Sequence, residues 1–173
     1  MAVRLAFASD RNPTMRTGAD ERQDVLTGKR VLIVDDSASQ RRRLREIYES
    51  LGLQVVGDAT HGLECLTLTE RLDPDIISLD VIMPVMHGVE TLDYLREKKN
   101  RAVVFYVSAL GNVEALAEVR SAGGHLPDAI FSKKDGRDAF SEVLTSIFTG
   151  DAPSVPNSSE ELSPSEVQSP EAV

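Results

Sequence analysis

With 173 residues, 41% of them hydrophobic and 27% charged, the chain has the size and composition of one soluble globular domain with tails. Its 28 acidic residues outweigh 19 basic ones, and the formal charge of −9 argues against broad electrostatic binding to nucleic acid or anionic membrane. One cysteine, Cys65, excludes an internal disulfide and an all-cysteine metal cage, and no apolar run nears the ~18 residues of a membrane span.

Residues 1–28 mix Asn12-Pro13, Gly18 and balanced charges without periodicity, and read as a disordered leader, too quickly charged at its start for a secretory signal. A cytoplasmic protein is expected. Arg30-Val-Leu-Ile-Val-Asp35 is a short continuous apolar run ending in acids, the pattern of a strand buried on both faces. Ser37 to Leu51 spaces Leu44, Ile47, Tyr48 and Leu51 as a helix, stopped by Gly52. Leu53 to Gly57 predicts a second strand and Gly62 to Leu72 a second helix, closed by Asp73-Pro74. Asp75 to Asp80 predicts strand three, Gly88 to Lys98 helix three, and Ala102 to Ser108 strand four. A helix near Val113–Ala122, a short strand Ala129–Ser132 and a last helix Gly136–Phe148 complete the series. Residues 151–173 hold four of the eight prolines and five acids with no Lys or Arg, and read as a disordered acidic tail. Five strand-then-helix units over residues 29–150 predict a flavodoxin-like three-layer α/β sandwich with a five-stranded parallel sheet.

Ligands of an open parallel sheet bind beyond the carboxyl ends of its strands. There the chain places Asp35-Asp36 after strand one, Asp80 after strand three, Ser108 after strand four and Lys133-Lys134 after strand five. Carboxylates crowded in one pocket repel, so they either carry raised pKa values or share a divalent cation. All-oxygen donors suit Mg²⁺, which keeps some waters and accepts a phosphate oxygen. A hydroxyl and an ammonium beside the acids suit a carboxylate that becomes an acyl phosphate.

Val31-Leu-Ile-Val-Asp-Asp-Ser-Ala-Ser-Gln-Arg-Arg-Arg-Leu44, Pro74-Asp-Ile-Ile-Ser-Leu-Asp-Val-Ile-Met-Pro-Val-Met-His-Gly-Val-Glu90, Val107-Ser-Ala109 and Phe131-Ser-Lys133 stand in this order along the chain. Together they resemble the CheY-like receiver domain of two-component response regulators, with wording closest to the receiver half of chemotaxis methylesterases. The resemblance implies Asp80 as the phosphoacceptor, with Mg²⁺ held by Asp35, Asp36, Asp80 and the backbone carbonyl of Ile82. It implies a phosphoryl contact from Ser108 and a lysine pairing after strand five, while Pro84 and Gly88 shape the loop after the acceptor. It also implies a histidine kinase or histidine phosphotransfer protein as donor and an output protein that the residues do not name.

The family lysine is normally followed by proline, whereas Lys133 is followed by Lys134. Counting from Ala129-Ile-Phe favours Lys133, which puts Ile130 at the aromatic switch position; Lys134 would put Phe131 there. A freestanding, non-enzymatic regulator is expected, since neither an esterase domain nor a basic helix-turn-helix follows Gly150. A phosphate sink without output is the alternative. A flavin-binding flavodoxin would need a Ser/Thr/Gly-rich loop where Asp35-Asp36 stands, and a haloacid-type phosphohydrolase an acid where Ile82 stands.

Other conspicuous residues have ordinary readings. Cys65 reads as buried and apolar, and Met83 and Met86 as gap-fillers. His61, His87 and His125 lack metal-ligand spacing. Arg41-Arg42-Arg43 reads as a solvated helix face with a possible docking use, and Glu171-Ala-Val173 offers only a terminal carboxylate to a partner. Ile82 and Leu110, two residues after Asp80 and Ser108, flank the water path to an acyl phosphate in receivers. Both are apolar, which predicts slow self-dephosphorylation.

Overall fold

The computed structural model describes residues 25–109 and 123–150. Along them run β1 (Arg30–Val34), α1 (Ala38–Ser50), β2 (Gln54–Ala59), α2 (Gly62–Leu72), β3 (Ile76–Leu79), α3 (Gly88–Glu97), β4 (Val103–Ser108), β5 (Ala129–Ser132) and α4 (Arg137–Thr149). The strands form one sheet in the order β2-β1-β3-β4-β5, every neighbouring pair parallel. This is the expected flavodoxin-like sandwich. The helix expected near Val113–Ala122, and Leu110, lie outside the described residues.

The period of two along each strand divides the core. Leu32, Val34, Ile77, Leu79, Val104 and Tyr106 face one side, packed with Cys65 of α2 and Leu92 and Leu95 of α3. Val31, Ile33, Ile76, Phe105, Val107 and Phe131 face the other, packed with Leu44 and Tyr48 of α1 and Phe140 and Leu144 of α4. On that second face four rings interlock: Phe131 stacks on Phe140 with centroids 4.2 Å apart, and Tyr48 meets Phe140 edge-on at 5.4 Å. The Tyr48 hydroxyl reaches the Ser78 hydroxyl at 2.7 Å, which supplies the partner its burial requires.

Burial pushes the hydroxyls of Tyr48 and Tyr106 above their ordinary value and the Cys65 thiol up to about 12. Raised folded-state values mean that the unfolded chain loses these protons first. Stability is therefore full below the ordinary thiol and phenol range and falls as pH rises through it. The urea midpoint is expected to be flat between pH 7 and 8 and to drop steadily from about pH 9 upward. A midpoint that holds to pH 11 would contradict the burial of these groups.

In two places the boundaries differ from the sequence reading by more than one residue. β2 runs from Gln54 to Ala59 rather than Leu53 to Gly57. Leu53 is buried where the chain leaves α1, its N–H donating to the Tyr48 carbonyl at 3.0 Å, so the ladder starts one residue later. Pairing then continues through Gly57 and Asp58 because β1 offers partners as far as Val34, with a register shift between Val31 and Leu32. Local propensity stops the strand early; the neighbouring ladder extends it.

The folded unit also begins before residue 29. Leu26, placed in the leader by its surroundings in sequence, is only 1% exposed and packs in the α1/α4-face core. A turn holds it there, with Gly28 N–H donating to the Gly52 carbonyl at 2.8 Å and Lys29 N–H to that of Leu26 at 3.1 Å. Two adjacent apolar residues, Val25 and Leu26, among polar ones carry no periodicity, so this burial was not legible. Leu26→Ala is expected to cost about 2–5 kcal/mol in urea unfolding. A chain truncated to 29–150 should lose as much, while one starting at Val25 should not.

Candidate acidic metal centre

The register of the central strands builds the site. β1 pairs with β3 so that Val34 lies beside Leu79, and the next residue on each strand is Asp35 and Asp80. Both carboxylates are buried, at 1% and 4% exposure, while Asp36 is exposed at the rim. One oxygen from each of Asp35, Asp36 and Asp80 lies within 4.8 Å of the others. β4 pairs with β5 through Ser108 and Ser132, which carries Lys133 past the sheet edge with its N–H on the Ser108 carbonyl at 2.7 Å. Two strand spacings, about 9–10 Å, separate β5 from β3, a gap that the lysine and aspartate side chains span together. Its Nζ reaches Asp80 Oδ2 at 2.7 Å and Asp35 Oδ2 at 2.8 Å. Lys134 is exposed, so the structure brings Lys133 and not Lys134 to the acids, with Ile130 three residues upstream. Ser108 is buried at the end of β4. Phe131 is held among the rings of the opposite core.

Burial raises the Asp80 carboxyl above its ordinary range and the Asp35 charge adds to this, while bonds from Lys133 and the Ile82 N–H oppose it. Burial works against the Lys133 ammonium, but its bonds to Asp35 and Asp80 prevail and raise it above the ordinary lysine value. Three carboxylates against one ammonium leave an excess negative charge that a divalent cation would neutralise. Asp35 Oδ1 accepts the Ser37 N–H at 2.8 Å at the start of α1. Asp35 Oδ2, although close to Lys133, is buried without a well-formed hydrogen bond. A buried carboxylate oxygen paired with Lys133 and facing two further acids still carries uncompensated charge around it, which fits a hard, oxygen-seeking ion such as Mg²⁺.

The loop after β3 frames the centre. Pro84, Val85 and Met86 form a tight turn closed by Met86 N–H on the Pro84 carbonyl at 2.8 Å, with Val85 at φ 71°. A β-branched residue there is strained. Gly88 follows, its N–H on the Val81 carbonyl at 2.9 Å, and a Cβ at this position would run into the carbonyl oxygen of Asp80. Glycine is thus what lets α3 start directly behind the acid. Met83 is buried in the core, while Ile82 is 53% exposed at the mouth.

Residues 31–140 match the family described as the response regulator receiver domain. The chain belongs to that family. Receivers of this family accept phosphoryl groups and bind Mg²⁺, the ion that the acidic trio suits. The chain is 38% identical over 96 residues to the chemotaxis protein CheY of Thermotoga maritima, covering 56% of this chain and 80% of that one. It is 39% identical over 95 residues to a protein-glutamate methylesterase/protein-glutamine glutaminase of Hahella chejuensis, covering 54% of this chain but 27% of the enzyme. Among solved structures, the CheX–CheY–BeF3–Mg complex of Borrelia burgdorferi is similar at a TM-score of 0.61 and 29% identity, covering 72% of this chain and 92% of that one.

Three features of this receiver escaped the sequence reading. His61 caps α2, its Nδ1 accepting the Glu64 N–H at 3.2 Å. His125 pairs with Asp93, Nδ1 to Oδ1 at 2.8 Å. The Arg41-Arg42-Arg43 run is not one solvated face. Only Arg42 is exposed, whereas Arg41 Nη1 donates to the carbonyls of Asp35 and Asp36 at 2.8 and 3.2 Å and Arg43 reaches the carbonyl of Asp135. No helix among the described residues is long and apolar enough to cross a membrane.

Proposed function

We propose that this receiver accepts a phosphoryl group onto Asp80 from a phosphohistidine donor, a histidine kinase or histidine phosphotransfer protein, and that the changed surface alters binding of an output partner. The observation that carries this reading is the meeting of Asp35, Asp36 and Asp80 with the Lys133 ammonium at one strand-end pocket. A carboxylate oxygen of Asp80 attacks phosphorus, the phosphorus–nitrogen bond breaks, and the imidazole leaves with the electron pair. Lys133 neutralises a phosphoryl oxygen, and the Ser108 hydroxyl donates to another. Asp35, Asp36, Asp80 and the Ile82 carbonyl hold Mg²⁺, which when bound supplies charge neutralisation of the transferring group. The similarity to CheY supports a cytoplasmic signalling role acting through a partner rather than through catalysis on a substrate.

The test is incubation of the full chain with phosphoramidate, a small phosphorus–nitrogen donor, and Mg²⁺. Intact mass should show one alkali-labile phosphoryl adduct, which should not form when the metal is chelated before the donor is added; no adduct at saturating Mg²⁺ would refute the reading.

The lifetime of that adduct follows from two side chains. Ile82 stands exposed over the mouth, and neither it nor Leu110 can hydrogen-bond an attacking water. Slow self-dephosphorylation is expected, and an Ile82→Asn, Leu110→Glu double variant should lose phosphate about tenfold faster, roughly 1.4 kcal/mol of barrier. Equal lifetimes by mass spectrometry would remove these residues from the account.

A further inference from the structure

The turn that carries Lys133 lacks the proline expected after a receiver lysine, and the peptide bonds of the described residues are all trans. Something else has to hold it. Ser132 to Asp135 form a β-turn closed by Asp135 N–H on the Ser132 carbonyl at 3.0 Å. The Asp135 side chain folds back so that Oδ2 accepts the Ser132 N–H at 2.8 Å, and Lys134 N–H reaches Ser132 Oγ at 3.2 Å. From α1, at 92 residues' separation, Arg43 Nη2 donates to the Asp135 carbonyl. The other arm of that guanidinium, Nη1, is buried without a hydrogen-bond partner.

A half-buried arginine with one enclosed, unpartnered nitrogen is a poor choice for stability, because an apolar side chain would avoid the desolvation and the orphaned donor. Its one bond, however, goes to the turn whose first central residue is Lys133. Resting on the functional reading above, we propose that Arg43 and Asp135 are positioning residues that clamp this turn and aim Lys133 at Asp80 in place of the missing proline. The clamp ties the helix that follows the metal ligands to the loop that carries the lysine, so both halves of the pocket share one support. Neither residue touches the reacting atoms. Their effect on phosphorylation passes through the Lys133 ammonium.

The experiment uses the full chain as reference and five variants: Arg43→Ala, Asp135→Ala, Asp135→Asn, Lys133→Ala and the Arg43→Ala, Lys133→Ala double. Labelling by phosphoramidate at saturating Mg²⁺ should slow about tenfold in Arg43→Ala and Asp135→Ala, since small misplacements of a catalytic group are costly. Asp135→Asn keeps an acceptor for the Ser132 N–H and should return to within about twofold of the wild type. The double variant should be no slower than Lys133→Ala alone, because the clamp has nothing left to aim. In Arg43→Ala and Asp135→Ala, Mg²⁺ affinity by calorimetry should change less than about twofold, as the acids and Lys133 itself are retained. Undiminished labelling in Arg43→Ala, or a further loss in the double variant, would overturn the proposal. Amide exchange followed by NMR judges the clamp independently of phosphorylation. Ser132 N–H should exchange at least about tenfold faster in Asp135→Ala than in Asp135→Asn, and unchanged exchange would overturn it. A wild type that accepts no phosphate would refute the functional reading, leaving the clamp to be decided by exchange alone.

Discussion

Asp80→Asn is expected to abolish phosphoryl labelling while leaving the fold intact. Asparagine preserves shape and an acceptor for the Ile82 N–H, but its amide oxygen is not a nucleophile that can form an acyl phosphate. The substitution also removes one of two buried neighbouring charges, and burial already holds the Asp80 carboxyl above its ordinary range. Neutralising it relieves that cost, though Lys133 loses one of its two partners. These effects oppose each other, so the melting temperature should move by only a few degrees, on the scale of about 1 kcal/mol. Mg²⁺ should bind at least about tenfold more weakly, a loss of about 1.4 kcal/mol. Mass spectrometry after exposure to phosphoramidate decides the point. An adduct that persists on the variant, mapped to another residue, would remove Asp80 as the acceptor.

Lys133→Ala and Lys134→Ala should part company by a wide margin. Lys133 is largely enclosed and lies within 2.8 Å of two buried carboxylates, so its ammonium meets new negative charge on a phosphoryl group with little screening. Losing a preorganised donor of this kind costs about 10²–10³ in rate. Lys134 is exposed, its charge screened by solvent, and its replacement should alter labelling less than about twofold. A second signature accompanies the first. Without Lys133 the acids are uncompensated, so the metal-free protein should be destabilised by about 3–5 kcal/mol and should regain most of that on adding Mg²⁺. Calorimetric melting with and without the ion reads this directly. Equal labelling by both variants would mean that the lysine contact seen here does not persist when the phosphoryl group arrives.

The legible part of this receiver follows from short-range chemistry. Continuous apolar runs such as Arg30–Asp35 announced buried parallel strands, and the acids at their carboxyl ends announced a pocket, because a parallel sheet puts all those ends on one edge. Asp35, Asp36, Asp80, Ser108 and a lysine after β5 could be named from order and spacing alone. Contacts made by register and packing could not. Counting from Ala129-Ile-Phe favoured Lys133 over Lys134, but which side chain turns inward from the β-turn to meet the acids was decided by the packed structure. Leu26 looked like leader because its burial comes from the far side of the chain, through Gly52 and the α1/α4-face core. Arg41, Arg42 and Arg43 were indistinguishable as letters, yet successive helix positions point about 100° apart. One therefore meets the carbonyls of Asp35 and Asp36, one meets solvent, and one meets the turn at Asp135. Identity and spacing record which chemistry is available at a strand end; direction and burial, which decide who touches whom, are properties of the packed molecule.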